Sequence, residues 1–242
     1  RVLDAWGGVA VAGRRELWAR DTVVPVYSVT KGVAALCVLA QVARGALDLD
    51  EPVARYWPEF AAHGKESLTV REALGHRAGL PVISGPVTLD DLDQPAAMSA
   101  RLAAETPVFA PGSDHLYHAI TIGWITTELV RRATGQSLGQ WLRGEVTEPL
   151  GLNLCIGRGA EDRAPIAQTL VPPEHDTPDI DPNMLAARAV GLNGLIRPSM
   201  SGLAAAMNDP GFQRVELAGA NALSDARSLA KLYAATLGEV DG

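Results

Sequence analysis

Ser28 and Lys31 stand three residues apart in Val26-Tyr27-Ser28-Val29-Thr30-Lys31-Gly32, where an apolar extended run gives way to a long apolar stretch of helical pattern. On a helix this spacing puts the lysine on the serine's face, within reach of its hydroxyl. The unsatisfied N–H groups and positive dipole end of a helix N-terminus favour negative charge at the serine oxygen. Burial among Val, Ala and Leu lowers a lysine pKa, so that a fraction of neutral amine can take the hydroxyl proton. A nucleophile and its base within one turn is acyl-transfer chemistry. Ser-x-x-Lys also arises by chance as an N-cap serine with a solvent-facing lysine, and the tetrapeptide alone leaves both readings open.

The elements around it must hold that pair. Residues 22–27 are β-branched and aromatic with a proline, which reads as a strand. Residues 32–44 continue as helix and stop at Gly45, a suitable C′ residue. Before them, two short extended segments within residues 2–27 join through Gly13-Arg14-Arg15 as a hairpin. After them, Asp48-Leu49-Asp50-Glu51-Pro52 reads as a helix start with Pro52 at N1. Thr69 and Glu72 form a capping box that opens a short helix closing near Gly75-His76. Helical pieces follow over residues 89–92 and 98–105, and an apolar helix over 120–132 ends near Gly135. Ser137 caps another, which Glu148-Pro149-Leu150-Gly151 closes. Residues 153–183 read as irregular or short extended structure, broken by Pro165, Pro172, Pro173, Pro178 and Pro182. Residues 199–207 form a short helix, and Ser224-Asp225 caps a last one with Leu229, Leu232, Tyr233 and Leu237 on one face.

In order and spacing, Ser28-Val29-Thr30-Lys31, the segment 47–60 with its Tyr56-Trp57-Pro58, the segment 68–80 with His76-x-x-Gly79-Leu80, Pro111-Gly112 and Tyr117 resemble serine hydrolases of the class C β-lactamase and penicillin-binding-protein fold. The resemblance is strongest to the family VIII carboxylesterases and runs through nearly the whole chain. It implies an α+β fold of β-lactamase type, an antiparallel sheet flanked by helices with an all-helical subdomain. One catalytic domain spans 1–242, with sheet strands and nucleophile helix in 1–80, a mainly helical part in 81–190, and a return to the α/β part in 191–242. It implies that Tyr117 shares the proton work with Lys31, its phenol made acidic enough by the nearby amine. Where the family has asparagine two residues after that tyrosine, this chain has Ala119, which lacks the amide that grips a β-lactam or peptide substrate. An ester is less affected by that loss. Tyr27 and Trp57 are expected, with Ala119, to line an apolar cleft suited to short or medium acyl groups. The expected activity is ester hydrolysis on a small-molecule substrate without a cofactor. The alternatives are a β-lactamase or D-amino-acid peptidase, an acyltransferase, and a non-catalytic binding protein on the same scaffold. In the family a C-terminal edge strand brings a Lys/His/Trp-x-Gly element and the second oxyanion donor. No version of it is found here, Gly191-Leu192-Asn193-Gly194-Leu195 lying too early. The resemblance therefore implies a strand and a helix before residue 1 and a larger portion after Gly242, either absent or present as a separate segment.

Composition narrows the rest. The 242 residues are 47% hydrophobic and 20% charged with a formal net charge of −7, which suits a folded core and argues against nucleic acid or an anionic membrane as partner. No run approaches the about 20 apolar residues of a membrane span. Cys37 and Cys155, the two cysteines, are far apart and read as unpaired thiols. His76 reads as a hydrogen-bonded loop residue rather than a base, and His63, His115 and His175 lack metal-ligand spacing, so no metal site is expected.

Overall fold

A computed structural model describes residues 3–176 and 181–238. Val2, at the start of the expected first extended segment, and Pro178 lie outside them. Among the described residues the N-terminal hairpin forms a single bridge, Val9 with Leu17, supported by Ala10 N–H to Glu16 O at 2.8 Å and Trp18 N–H to Gly8 O at 2.9 Å. Strand β1, Val24–Pro25, leads to α1, Val29–Ala43, for which Ser28 is the N-cap residue. Three short helices follow: α2, Val53–Tyr56; α3, Val70–Leu74; and α4, Leu89–Leu92. Pro52 is the N-cap of α2 rather than its first residue, its N–H loss falling one place earlier than expected. The Thr69–Glu72 capping box is present at α3, and a second, Thr88–Asp91, opens α4. Helix α5, Pro95–Ala103, begins three residues before the segment expected there, because Pro95 supplies a preset first turn.

Helix α6, Ile122–Thr134, ends at Gly135 in the left-handed conformation and is buried at every position from Ile122 to Val130. It is the main partner of α1, whose Val33, Ala34, Cys37 and Val38 pack in the same core. Fully burying a side chain the size of Val33 or Val38 contributes roughly 1.5–3 kcal/mol. Helix α7, Leu138–Leu142, carries the Ser137–Gln140 capping box and runs through a π-helical turn, Arg143–Thr147, into α8, Glu148–Leu150. Then come β2, Leu154–Cys155, and helices α9, Leu185–Gly191; α10, Met200–Asn208; and α11, Pro210–Arg214.

Strand β3, Leu223–Ser224, pairs antiparallel with both β1 and β2, giving the order β1-β3-β2. Sequence pattern alone does not reveal β3, since two residues are too short to show a period of two. Helix α12, Ala226–Ala235, is capped by Asp225, which accepts the Ser228 N–H at 2.7 Å. Its expected apolar face is only partly used: Leu232 is buried, Leu229 packs on the core, and Leu237 lies beyond the helix fully in solvent. Both cysteines are free thiols. Among the described residues no helix is long and apolar enough to cross a membrane.

Candidate active site

Tyr27 adopts a left-handed backbone conformation, φ 47°, which turns the chain sharply from β1 into α1. The turn is held by Thr30, whose Oγ1 donates to Tyr27 O at 2.5 Å and accepts the Ala222 N–H at 2.9 Å. Ser28 is thereby left exposed at the head of α1 while the next turn enters the core.

Lys31 Nζ lies 3.1 Å from Ser28 Oγ, 2.6 Å from Ala119 O and 2.7 Å from Gly219 O. A neutral amine has two N–H donors and one lone pair. With the two carbonyls taking the donors, the lone pair is left for the Ser28 hydroxyl. Burial holds the Lys31 pKa below the ordinary lysine value, an effect partly offset by the Tyr117 phenol. The Tyr117 hydroxyl donates to Ser28 Oγ at 2.7 Å, and its ring centroid is 4.8 Å from Lys31 Nζ. Burial pushes the phenol pKa up, but Lys31 and the Ser28 hydroxyl beside it outweigh that, so the net shift is downward.

Two carbonyls from distant segments reach one amine because of two glycines. A Cβ on Gly123, at the start of α6, would collide with the Gly219 backbone, and one on Gly219 would sit 2.5 Å from Ile120 O. Only glycine allows backbones this close. The 217–222 loop is pinned besides by Asn221, whose Nδ2 donates to Phe212 O at 2.6 Å and Val215 O at 2.8 Å. Glu216 anchors its base by accepting from Ser137 Oγ at 2.6 Å and the Gly139 N–H at 2.9 Å. Sequence reading missed Gly219 because a backbone carbonyl has no residue signature.

The remaining expected site residues fall differently. Ala119 is buried and contributes its carbonyl, not its methyl. Tyr27 is half-buried, its phenol pushed up by burial and lowered in part by a hydrogen bond with Thr169. Trp57 is only 2% exposed, with its ring 4.9 Å from that of Phe60 in the helical core. This corrects the expectation that it lines an acyl cleft: the little surface it keeps borders a cavity with His63, Ala100 and Arg132 that includes none of Ser28, Lys31 and Tyr117. His76 makes a loop hydrogen bond, accepting the His118 N–H on Nδ1 at 3.1 Å. Among the described residues no group of three or more His, Cys, Asp or Glu converges as a metal site.

The family profile described as Beta-lactamase matches residues 1–241. The chain belongs to that family. The esterase/beta-lactamase LipL of Mycobacterium tuberculosis is 34% identical over 253 residues, covering 100% of this chain and 57% of LipL. The crystal structure of a family VIII carboxylesterase superposes with TM-score 0.80 at 36% identity, over 95% of this chain and 59% of that one. EstA from Arthrobacter nitroguajacolicus Rue61a gives TM-score 0.83 at 32% identity, over 93% and 59% respectively. The fold is thus the β-lactamase-like α+β fold, and the chain spans about 57–59% of the length of these relatives.

Proposed function

We propose that this β-lactamase-family chain carries the acylation centre of a serine ester hydrolase. Ser28 Oγ attacks the ester carbonyl carbon while Lys31 accepts the hydroxyl proton. The resulting oxyanion sits at the N-terminus of α1, with the Ser28 N–H as one donor. The C–O bond to the alcohol then breaks, and the proton passes from Lys31 through Tyr117 to the departing alkoxide. Water attacks the acyl-enzyme, its proton returns by the same pair to Ser28, and the acid leaves. The observation that carries the reading is one oxygen with two proton-transfer groups on it, Lys31 Nζ at 3.1 Å and the Tyr117 hydroxyl at 2.7 Å.

An ester suits the site better than a β-lactam amide because Ala119 presents its carbonyl to Lys31 and no amide to a substrate. The test is a fluorophosphonate probe followed by peptide mass spectrometry, with turnover of a p-nitrophenyl ester and a chromogenic cephalosporin compared in parallel. The expected result is one adduct on Ser28, none in Ser28→Ala, and faster ester turnover. No adduct on Ser28 ends the reading; a faster cephalosporin moves it to β-lactam hydrolysis.

A further inference from the structure

Tyr117 is 50% exposed and lies in a segment with no regular secondary structure, yet its phenol must stay on one serine oxygen. What holds it is a set of hydrogen bonds to the 76–80 turn on both sides of the tyrosine. Leu116 N–H donates to His76 O at 3.1 Å, and His118 N–H to His76 Nδ1 at 3.1 Å. Leu80 N–H donates to His118 Nε2 at 2.8 Å, and Thr121 Oγ1 to Leu80 O at 2.6 Å. The His76 ring also packs against the Tyr117 ring, centroids 5.0 Å apart at 49°, and the His118 ring lies 5.5 Å from that of His76.

The acceptor roles fix both imidazoles. His76 Nδ1 and His118 Nε2 each receive a backbone N–H, so neither carries a proton. His118 Nδ1 lies 2.5 Å from Leu116 O and donates to it, leaving His118 neutral with its proton on Nδ1. The His118 side chain is fully buried, and burial disfavours charge on His76, with Lys31 and His115 adding to that. Neither ring reaches Ser28 as a hydrogen-bond partner, so neither is a base for the reaction.

We propose that His76 and His118 form a neutral imidazole latch, positioning residues that fasten the Tyr117 segment to the 76–80 turn and so hold the phenol on Ser28. The proposal rests on Ser28, Lys31 and Tyr117 acting as described above, but it is tested by a readout that needs no turnover. His76→Asn keeps an acceptor at the Nδ1 position and tolerates the backbone φ of 62° found there, whereas His76→Ala removes the acceptor. His118→Gln keeps an acceptor for the Leu80 N–H, and His118→Leu removes it.

With tyrosine labelled at the ring carbon bearing the hydroxyl, and the Tyr117 resonance assigned by its loss in Tyr117→Phe, NMR titration follows this phenol directly. The latch predicts that in His76→Ala and His118→Leu the Tyr117 pKa returns toward the ordinary value of about 10, and that His76→Asn and His118→Gln retain the wild-type shift. An unchanged Tyr117 titration in His76→Ala overturns the latch, whether or not the protein hydrolyses esters. Where esters are turned over, His76→Ala should lower kcat roughly tenfold with KM within about twofold, and cost nothing further in a Tyr117→Phe background. An equal loss in both backgrounds means the histidine acts on the fold in general and overturns the proposal. Should the Leu variant at fully buried position 118 not fold, the His76 pair and His118→Gln still decide.

Discussion

Lys31 and Tyr117 flank the same oxygen, but two unlike regions hold them. The lysine is held by backbone: the Ala119 and Gly219 carbonyls, brought together where Gly123 and Gly219 let α6 and the 217–222 loop touch. The tyrosine is held largely through side chains: besides one backbone bond from Leu116 to His76, two histidine rings fasten an exposed segment to a turn. A backbone cradle between packed elements moves only if those elements move. A side-chain latch depends on the protonation state of its members, so the two halves of the site should fail under different challenges.

The largest effect is expected from removing the amine. Lys31→Met should lower kcat/KM for an ester by about 10²–10⁴, the usual worth of a positioned general base. It also strands the Ala119 and Gly219 carbonyls, so a loss of about 1–3 kcal/mol in stability should accompany it in urea unfolding. The Tyr117 phenol should titrate higher once the cation is gone, since Lys31 lowers it. In the intact protein, activity should rise with pH as Lys31 deprotonates, beginning below the range of a solvated lysine because its pKa is lowered. An ester kcat/KM within tenfold of wild type in Lys31→Met would break the assignment of the amine as base.

The second challenge separates the latch from the cradle by acid. Burial holds His118 down to about 4 from its ordinary 6.5, while its contact with Leu116 O opposes this and His76 adds to it. Below 6.5 the unfolded chain takes up a proton that the folded chain refuses until about pH 4, so this contribution is complete above 6.5 and is lost as pH falls through 4. The shift corresponds to about 3 kcal/mol. Urea unfolding of wild type and His118→Gln between pH 7 and 4 should show the wild type losing more stability by a fraction of that size. Parallel curves would mean that His118 titrates normally and that the latch is not what acid releases.

How far the sequence foretold these regions follows the same division. Ser28, Lys31 and Tyr117, which the structure brings together, could be singled out because each carries a reactive side chain and their spacing repeats a family pattern. The capping box at Thr69 and the cap at Ser137 were legible because a cap is a local hydrogen bond between residues three apart. Trp57 was misplaced, since a family-like segment says nothing about which way a ring points. Gly219 was invisible: its contribution is a carbonyl oxygen, and the close approach that delivers it joins residues 96 positions apart from Gly123. His118 was passed over because a buried histidine reveals its acceptor role only when Leu80 is seen against it.

The smallest expected effect is the one that probes the cradle most directly. Gly123 sits at the second position of α6, where alanine would favour the helix by about 0.5–1 kcal/mol. Against that, its methyl would enter the Gly219 backbone, and the loop cannot easily retreat while Asn221, Glu216 and the Thr30–Ala222 hydrogen bond hold it. Overpacking typically costs about 1–3 kcal/mol, so Gly123→Ala should come out destabilised by about 1 kcal/mol and should lower ester turnover by moving Gly219 O away from Lys31. Gly144 supplies the control. It lies in the helical segment 143–147 with open space around its Cβ position, so Gly144→Ala should be neutral or stabilising by up to about 1 kcal/mol and leave activity unchanged. If the two alanine variants behave alike in chemical unfolding, the approach of α6 to the 217–222 loop is not tight enough to define where the lysine's acceptors sit, and the contrast between cradle and latch loses its backbone half.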